Sequence, residues 1–286
     1  MKLYGKHTHE VAERIVDAFR NPERLPKALA PVFIRRNDDV PCRRWSWHNQ
    51  LIVALSGSID ARGIKQWNHA GRKVRKGASA LWILAPCTKR IKDRDERGEE
   101  VARQIVYGFR AIPVFAVEDT EGEPLPEQDD EASAFLDQLP LLNVAKAWEI
   151  NIDAYSHRGS DPLGYYSYAG NGSKAIMLGV ENLSTWCHEL VHAADHRLTN
   201  LKGTKCHKEV VAELGSAVLL ECLGKPHDAD LGGAYDYIRS YADRENKPVV
   251  KACIEVLDRV CHCVALILDT ANKPVASPEK VVEAVS

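Results

Sequence analysis

Along residues 9–20, HEVAERIVDAFR, apolar side chains fall at 11, 12, 15, 16, 18 and 19. That is the spacing of one helical face, and Asn21-Pro22 breaks the run. A second helix is predicted through RRWSWHNQLIVALSG, closed by Gly57. The period then changes. SALWILAPCTKRIKD and EEVARQIVYGFRAIPVFAVEDTEG read as strands joined across a charged hairpin tip at 92–100, the returning strand broken near Gly108 and Pro113. EGEPLPEQDDEA (121–132) combines three glycine or proline breakers with six acidic residues, and a domain boundary is placed there. Beyond it, the pattern predicts a helix over 131–148, a short hairpin from YYSYAG and KAIMLGV, and a helix through TWCHELVHAADHRL. Ser184 or Thr185 caps that helix, and Asn200 to Gly203 end it. A further helix is expected over 205–223, stopped by Gly224 with Pro226 beyond, and a long apolar one over 248–270 as a structural brace. The expected fold class is α+β: N-terminal helices plus an antiparallel sheet in residues 1–125, and a second domain in 130–286.

Composition changes this picture little. The chain has 286 residues, 45% hydrophobic and 27% charged, with a net charge of −2, which places it with soluble globular proteins. The apolar run VCHCVALIL (260–268) is about half the length that spans a bilayer. The N-terminal residues lack the apolar core and cleavage site of a signal peptide, so a cytoplasmic location is expected. Eight cysteines are scattered without a CxxC pair, which supports neither a zinc ribbon nor a disulfide framework and suggests reduced, buried thiols.

Candidate chemistry lies in HELVH. Residues four apart share a helical face, so His188 and His192 present two imidazoles to one point with Glu189 beside them. A catalytic zinc site needs a third protein ligand and one open position. The next helix opens with KEVVAEL, which sets Glu209 and Glu213 four residues apart on one face, and a short turn between antiparallel helices can bring that face onto the histidines. Asp195, His196 and His207 compete for the same role; the first two lie one turn on, where a continuous helix swings them away. One carboxylate can ligate while the other orients a ligand histidine through its free ring nitrogen. The pattern is similar to zincins that use glutamate as third ligand. That resemblance implies Glu209 on the metal, Glu213 behind it and Glu189 as the general base that takes a proton from the attacking water. KAIMLGV would then be an edge strand that pairs with an extended peptide, and Tyr165, Tyr166 or Tyr168 could supply an oxyanion donor.

The other half is basic. From Ala61 to Lys92 there are nine lysines and arginines and no acid, and Lys65, Arg72, Lys73, Arg75 and Lys76 are interleaved with Trp67 and Trp82. Cations that track phosphates and aromatics that stack bases suit single-stranded nucleic acid; a solvated basic loop over buried tryptophans is the plain alternative.

WSWHNQLIVAL, GIKQWNHAGRKVRKGASALWILAP and GFRAIPVFAVEDTEGEPLP follow one another in the order seen in ArdC-type antirestriction proteins, on Asn49, Trp67, Gly71, Arg72, Val74, Arg75, Lys76, Gly77, Phe115, Thr120 and Gly122. HELVHAADHRL and KEVVAELGSAVLL continue the resemblance, which covers most of residues 40–225. It implies a single-stranded DNA-binding N-terminal domain joined to a zincin-like, gluzincin-type metallopeptidase domain with one Zn2+ and a peptide substrate. It also implies a mobile-element function that protects incoming DNA. In that family two consecutive acids usually precede the valine-alanine-glutamate, whereas here Lys208 precedes Glu209. The alternative is a single-stranded DNA-binding protein whose zinc is structural or catalytically silent.

Overall fold

The computed structural model describes residues 2–21, 24–34, 40–94, 100–125, 141–155, 162–170, 172–179, 183–225 and 232–273. It is a mixed α+β fold. A short strand β1 (Lys2–Tyr4) leads into α1 (Lys6–Arg20), whose Val11, Ile15 and Phe19 are buried, as the sequence spacing requires. Asn21 caps its end through Asp17 O. α2 (Arg24–Ile34) was not expected from the sequence, because Pro26 and Pro31 punctuate RLPKALAPVFI. It forms because Leu25, Leu29, Val32 and Phe33 all bury on one side, and tertiary packing outweighs the proline cost. α3 (Trp47–Ala54) follows a 3-10 turn at Pro41–Arg44. Gly57, at φ +83°, closes the segment in a conformation open to glycine.

The two expected strands are β4 (Leu81–Arg94) and β5 (Glu100–Ala116), paired antiparallel. β5 is not broken at Gly108 or Pro113. The register slips by one residue between Cys87 and Thr88, so Tyr107 is the bulged residue, and Pro113 sits within the pairing opposite Trp82. β1 joins the other edge of β5 in parallel, and β2 (Ala61–Arg62) pairs with its end. α4 (Ile64–His69) and the small ribbon of β3 (Arg72–Val74) with β6 (Thr120–Gly122) complete this half.

In the second half, α5 (Leu142–Ala147) is a short helix that begins at Leu142, because Leu141 before it is left-handed at φ +60°; the single helix expected over 131–148 is therefore interrupted there, and residues 131–140 lie outside the described set. β7 (Ile150–Ala154) pairs in parallel with β9 (Lys174–Leu178), and β8 (Gly164–Tyr168) pairs with the other side of β9 antiparallel. The expected hairpin exists, but KAIMLGV is not its edge. β9 is the central strand of three, because β7 takes the side that the sequence alone left open.

The helices α6 (Leu183–Thr199) and α7 (Lys205–Cys222) form an antiparallel pair. Asn200, Leu201 and Gly203 turn the chain at positive φ, and Thr204 caps α7 by accepting from the His207 N–H. Ser184 and Thr185 lie inside the first turn of α6. α8 (Gly232–Arg244) and the long α9 (Val249–Ala271) follow, α9 being the expected brace. One hydrophobic cluster runs through both halves, from Val11, Ile15 and Phe33 to Leu190, Leu219 and Val264. Six of the eight cysteines are buried in the fold and none of the eight forms a disulfide.

Candidate metal centre

α6 buries Trp186, Leu190, Val191 and Ala194 against the core, which leaves the next strip of the helix, His188 and His192, facing α7. The close approach of the two helices depends on Gly215. A β-carbon there would lie 2.9 Å from a Val191 methyl, nearer than packed carbons allow. Ser216 Oγ also donates to Ser184 O at 3.2 Å across the pair.

The result is a cluster of His188, His192 and Glu209, one nitrogen or oxygen atom from each lying within 4.8 Å of the others. Glu209 Oε2 is 3.3 Å from His188 Nε2 and 3.6 Å from His192 Nε2. Metal–ligand bonds of about 2.0 to 2.1 Å in a tetrahedral site put neighbouring ligand atoms about 3.4 Å apart, so Glu209 stands from each imidazole at the spacing of two neighbouring corners of such a site. The remaining nitrogen of His188, Nδ1, is 3.5 Å from Glu213 Oε2. Burial works against the His188 imidazolium, but the carboxylates of Glu209 and Glu213 outweigh it and hold its pKa up at about 10. Hydrogen bonds from the two histidines hold the Glu209 carboxyl well below the usual carboxylate range.

Glu189 is 5% exposed. Burial raises its pKa, opposed by the charges of His188 and His192, and its carboxylate accepts the backbone N–H of Tyr166 on β8. Gly164, also on β8, packs so closely that an added β-carbon would meet Thr185 Cγ2 at 2.6 Å and Glu189 Cγ at 3.4 Å. These residues open on a cleft of about 880 Å³. It is lined by Pro162 to Tyr166 on the β8 side and by Lys205 and Lys208 of α7. Neither lysine was singled out as a cleft residue from the sequence. Their i, i+3 spacing just ahead of Glu209 was the available signal.

The competing third ligands are occupied elsewhere. Asp195 is buried and bound by Arg259 of α9, Nε to Oδ1 at 2.6 Å. His196 Nδ1 meets the Tyr166 hydroxyl at 2.8 Å, and His207 packs edge-on against Tyr237 and Tyr241. Of the three tyrosines, Tyr165 and Tyr166 line the cleft, but the Tyr166 hydroxyl is committed to His196, against whose ring Tyr168 packs at a tilt.

In the basic half the structure separates residues that the sequence grouped. Trp67 is 0% exposed, its Nε1 donates to Phe115 O, and Arg62 covers its ring. It therefore presents no face to a base. Asn49 is buried too, and its amide both accepts from Leu84 N and donates to Leu84 O, pinning α3 to β4. Arg72 binds Thr120 Oγ1 and the carbonyls of Thr120, Gly122 and Glu123, which holds the β3–β6 ribbon. Gly122, at φ +136°, lies so close to Gly71 O that a β-carbon would be 2.4 Å away. Lys65, Lys73, Arg75 and Lys76 remain exposed.

No family model matches the chain, and no curated protein matches it in sequence. Among solved structures it resembles the Mn(II)-bound crystal structure of the antirestriction protein ArdC from plasmid R388, with a TM-score of 0.51 and 17% identity over 94% of this chain and 99% of that one. This chain has an ArdC-like fold. The metal-free structure of the same ArdC protein aligns with a TM-score of 0.49 and 20% identity over 89% and 98% of the two chains. Trp67, Gly71, Arg72, Phe115, Thr120 and Gly122 knit one small structural unit, so their spacing is that of a folding motif. No helix among the described residues is long and apolar enough to cross a membrane.

Proposed function

We propose that this chain is a metal-dependent peptidase with an antirestriction role like that of the protein whose fold it shares, and that it binds single-stranded DNA through its other half. Residues 130–286 carry the gluzincin-type hydrolytic site and residues 1–125 the nucleic-acid surface. The observation that carries the reading is the His188, His192 and Glu209 cluster, its three donor atoms at ligand spacing on the side of a cleft that also holds a buried carboxylate. Two imidazoles and one carboxylate suit a single Zn2+, and a divalent ion is present in the ArdC structure of TM-score 0.51. When bound, such an ion supplies a Lewis acid that polarises a carbonyl and acidifies water.

The chain's own groups do the rest. Glu213 orients His188 through Nδ1. Glu189, fixed by the Tyr166 N–H, takes a proton on its carboxylate and returns it to the departing amine. β8 borders the cleft, its outer edge pairs with no strand among the described residues, and it can hold an extended peptide by strand addition, the role expected of β9 from the sequence. In the other half, Lys65, Lys73, Arg75 and Lys76 are the cations free to follow a phosphate backbone.

The experiment is metal analysis of the purified protein together with a Glu189→Gln variant. The variant is expected to retain one ion per chain and to lose at least about a hundredfold in cleavage of a mixed peptide substrate. A wild-type protein that binds no divalent ion, or a variant that cleaves as well as wild type, would refute the peptidase reading. Protection from restriction that persists in the variant would assign that role to DNA binding alone.

A further inference from the structure

The cleft carries two ammonium groups that the hydrolytic chemistry does not use. Lys205 and Lys208 stand three residues apart in the first turns of α7 and both line the cleft. Neither makes an ion pair among the described residues, because Glu209 and Glu213 are turned onto His188. The charged side chains lining the cleft are these two lysines, the two histidines and the three carboxylates of Glu189, Glu209 and Glu213. With a divalent ion on the histidines and Glu209, the three carboxylates are outweighed by the ion and the two lysines, and the cleft carries a surplus positive charge. The same cleft is lined by β8, whose outer edge pairs with no strand among the described residues and suits a chain that has backbone amides and carbonyls of its own. An extended peptide meets that condition and a nucleic acid does not.

We propose that Lys205 and Lys208 bind a carboxylate of the substrate, so that the cleft selects acidic peptides; this rests on the peptidase reading above. A substrate glutamate or aspartate lying along β8 places its carboxylate near the α7 lysines, where charge-assisted hydrogen bonds form. A neutral residue there leaves both ammonium groups without a partner.

The test uses end-capped decapeptides that are alike except for glutamate, glutamine or lysine walked through each position. They are titrated by fluorescence anisotropy into the zinc-loaded Glu189→Gln protein, which holds substrate without turning it over. Glutamate at one position is expected to bind about tenfold tighter than glutamine, the scale of one charge-assisted contact in a partly enclosed site. Lys205→Ala and Lys208→Ala should each shrink that ratio, and Lys208→Glu should turn the preference toward lysine. Equal binding of the glutamate and glutamine sets, a preference untouched by the lysine changes, or no binding of any peptide overturns the proposal. Displacement of bound peptide by oligothymidylate that depends on the same two lysines also overturns it, assigning them to a nucleic-acid path. Wild-type cleavage that ignores acidity leaves the peptidase reading standing and this proposal refuted. Lysine-dependent binding of acidic peptides without wild-type cleavage does the reverse.

Discussion

Glu213 and His48 show how much a single side chain here owes to its neighbours. Glu213 touches the candidate metal site only through His188 Nδ1, so Glu213→Ala is expected to weaken zinc affinity by about tenfold or more, measured by chelator competition, while leaving the fold intact. An unchanged affinity would mean that His188 is held by packing alone. His48 is buried in α3 with Nδ1 unpartnered, and burial lowers its pKa from 6.5 to about 4. The unfolded chain takes up that proton below about pH 6.5 and the folded chain only near pH 4, so its contribution to stability is complete above 6.5 and is lost as pH falls between the two values. The loss is up to about 3 kcal/mol. Urea midpoints at pH 7 and pH 5 should fall less in His48→Gln than in wild type; parallel falls would exclude His48 as the source.

At the scale of elements, the decisive contact is between α6 and α7. HELVH was legible because the helical period alone places His188 and His192 on one face, and Glu209 with Glu213 on one face of the next helix. How near those faces come was not legible, since it depends on Gly215 packing against Val191 with no side chain between them. Gly215→Val is therefore expected to force the helices apart, costing about 1 to 3 kcal/mol by overpacking and lowering zinc affinity in the same protein. Destabilisation with zinc affinity preserved would show that the cluster tolerates a wider helix pair. The same limit explains α2, whose prolines read as breakers until the packing of Leu29 and Phe33 is seen. It also explains β9, whose central position follows from β7, a strand too polar at Asn151 and Asp153 to announce itself.

Over the whole molecule, charge on the surface and motif in the interior part company. The basic segment of residues 61–92 contains both kinds of residue, and composition does not distinguish them. Trp67 and Arg72 bind the protein's own backbone, whereas Lys65, Lys73, Arg75 and Lys76 stand in solvent. Replacing those four cations with alanine should leave the thermal midpoint nearly unchanged. It should also reduce the slope of log affinity against log salt for single-stranded DNA by about 3, the release expected from four lost phosphate contacts. An unaltered slope would remove this face from the nucleic-acid reading. Arg72→Ala, in contrast, should lower stability by opening the β3–β6 ribbon.

The sequence by itself determined the elements with strong periodicity and which side chains stand as candidate metal ligands, because both follow from local geometry: a helix repeats every 3.6 residues whatever surrounds it. Tertiary structure alone decided which carboxylate meets which imidazole nitrogen, which strand edge is left unpaired at the cleft, and which cations and aromatics remain outside. Those outcomes depend on distances between segments far apart in the chain, set by close packing and by backbone groups that must find partners, and no local pattern encodes them.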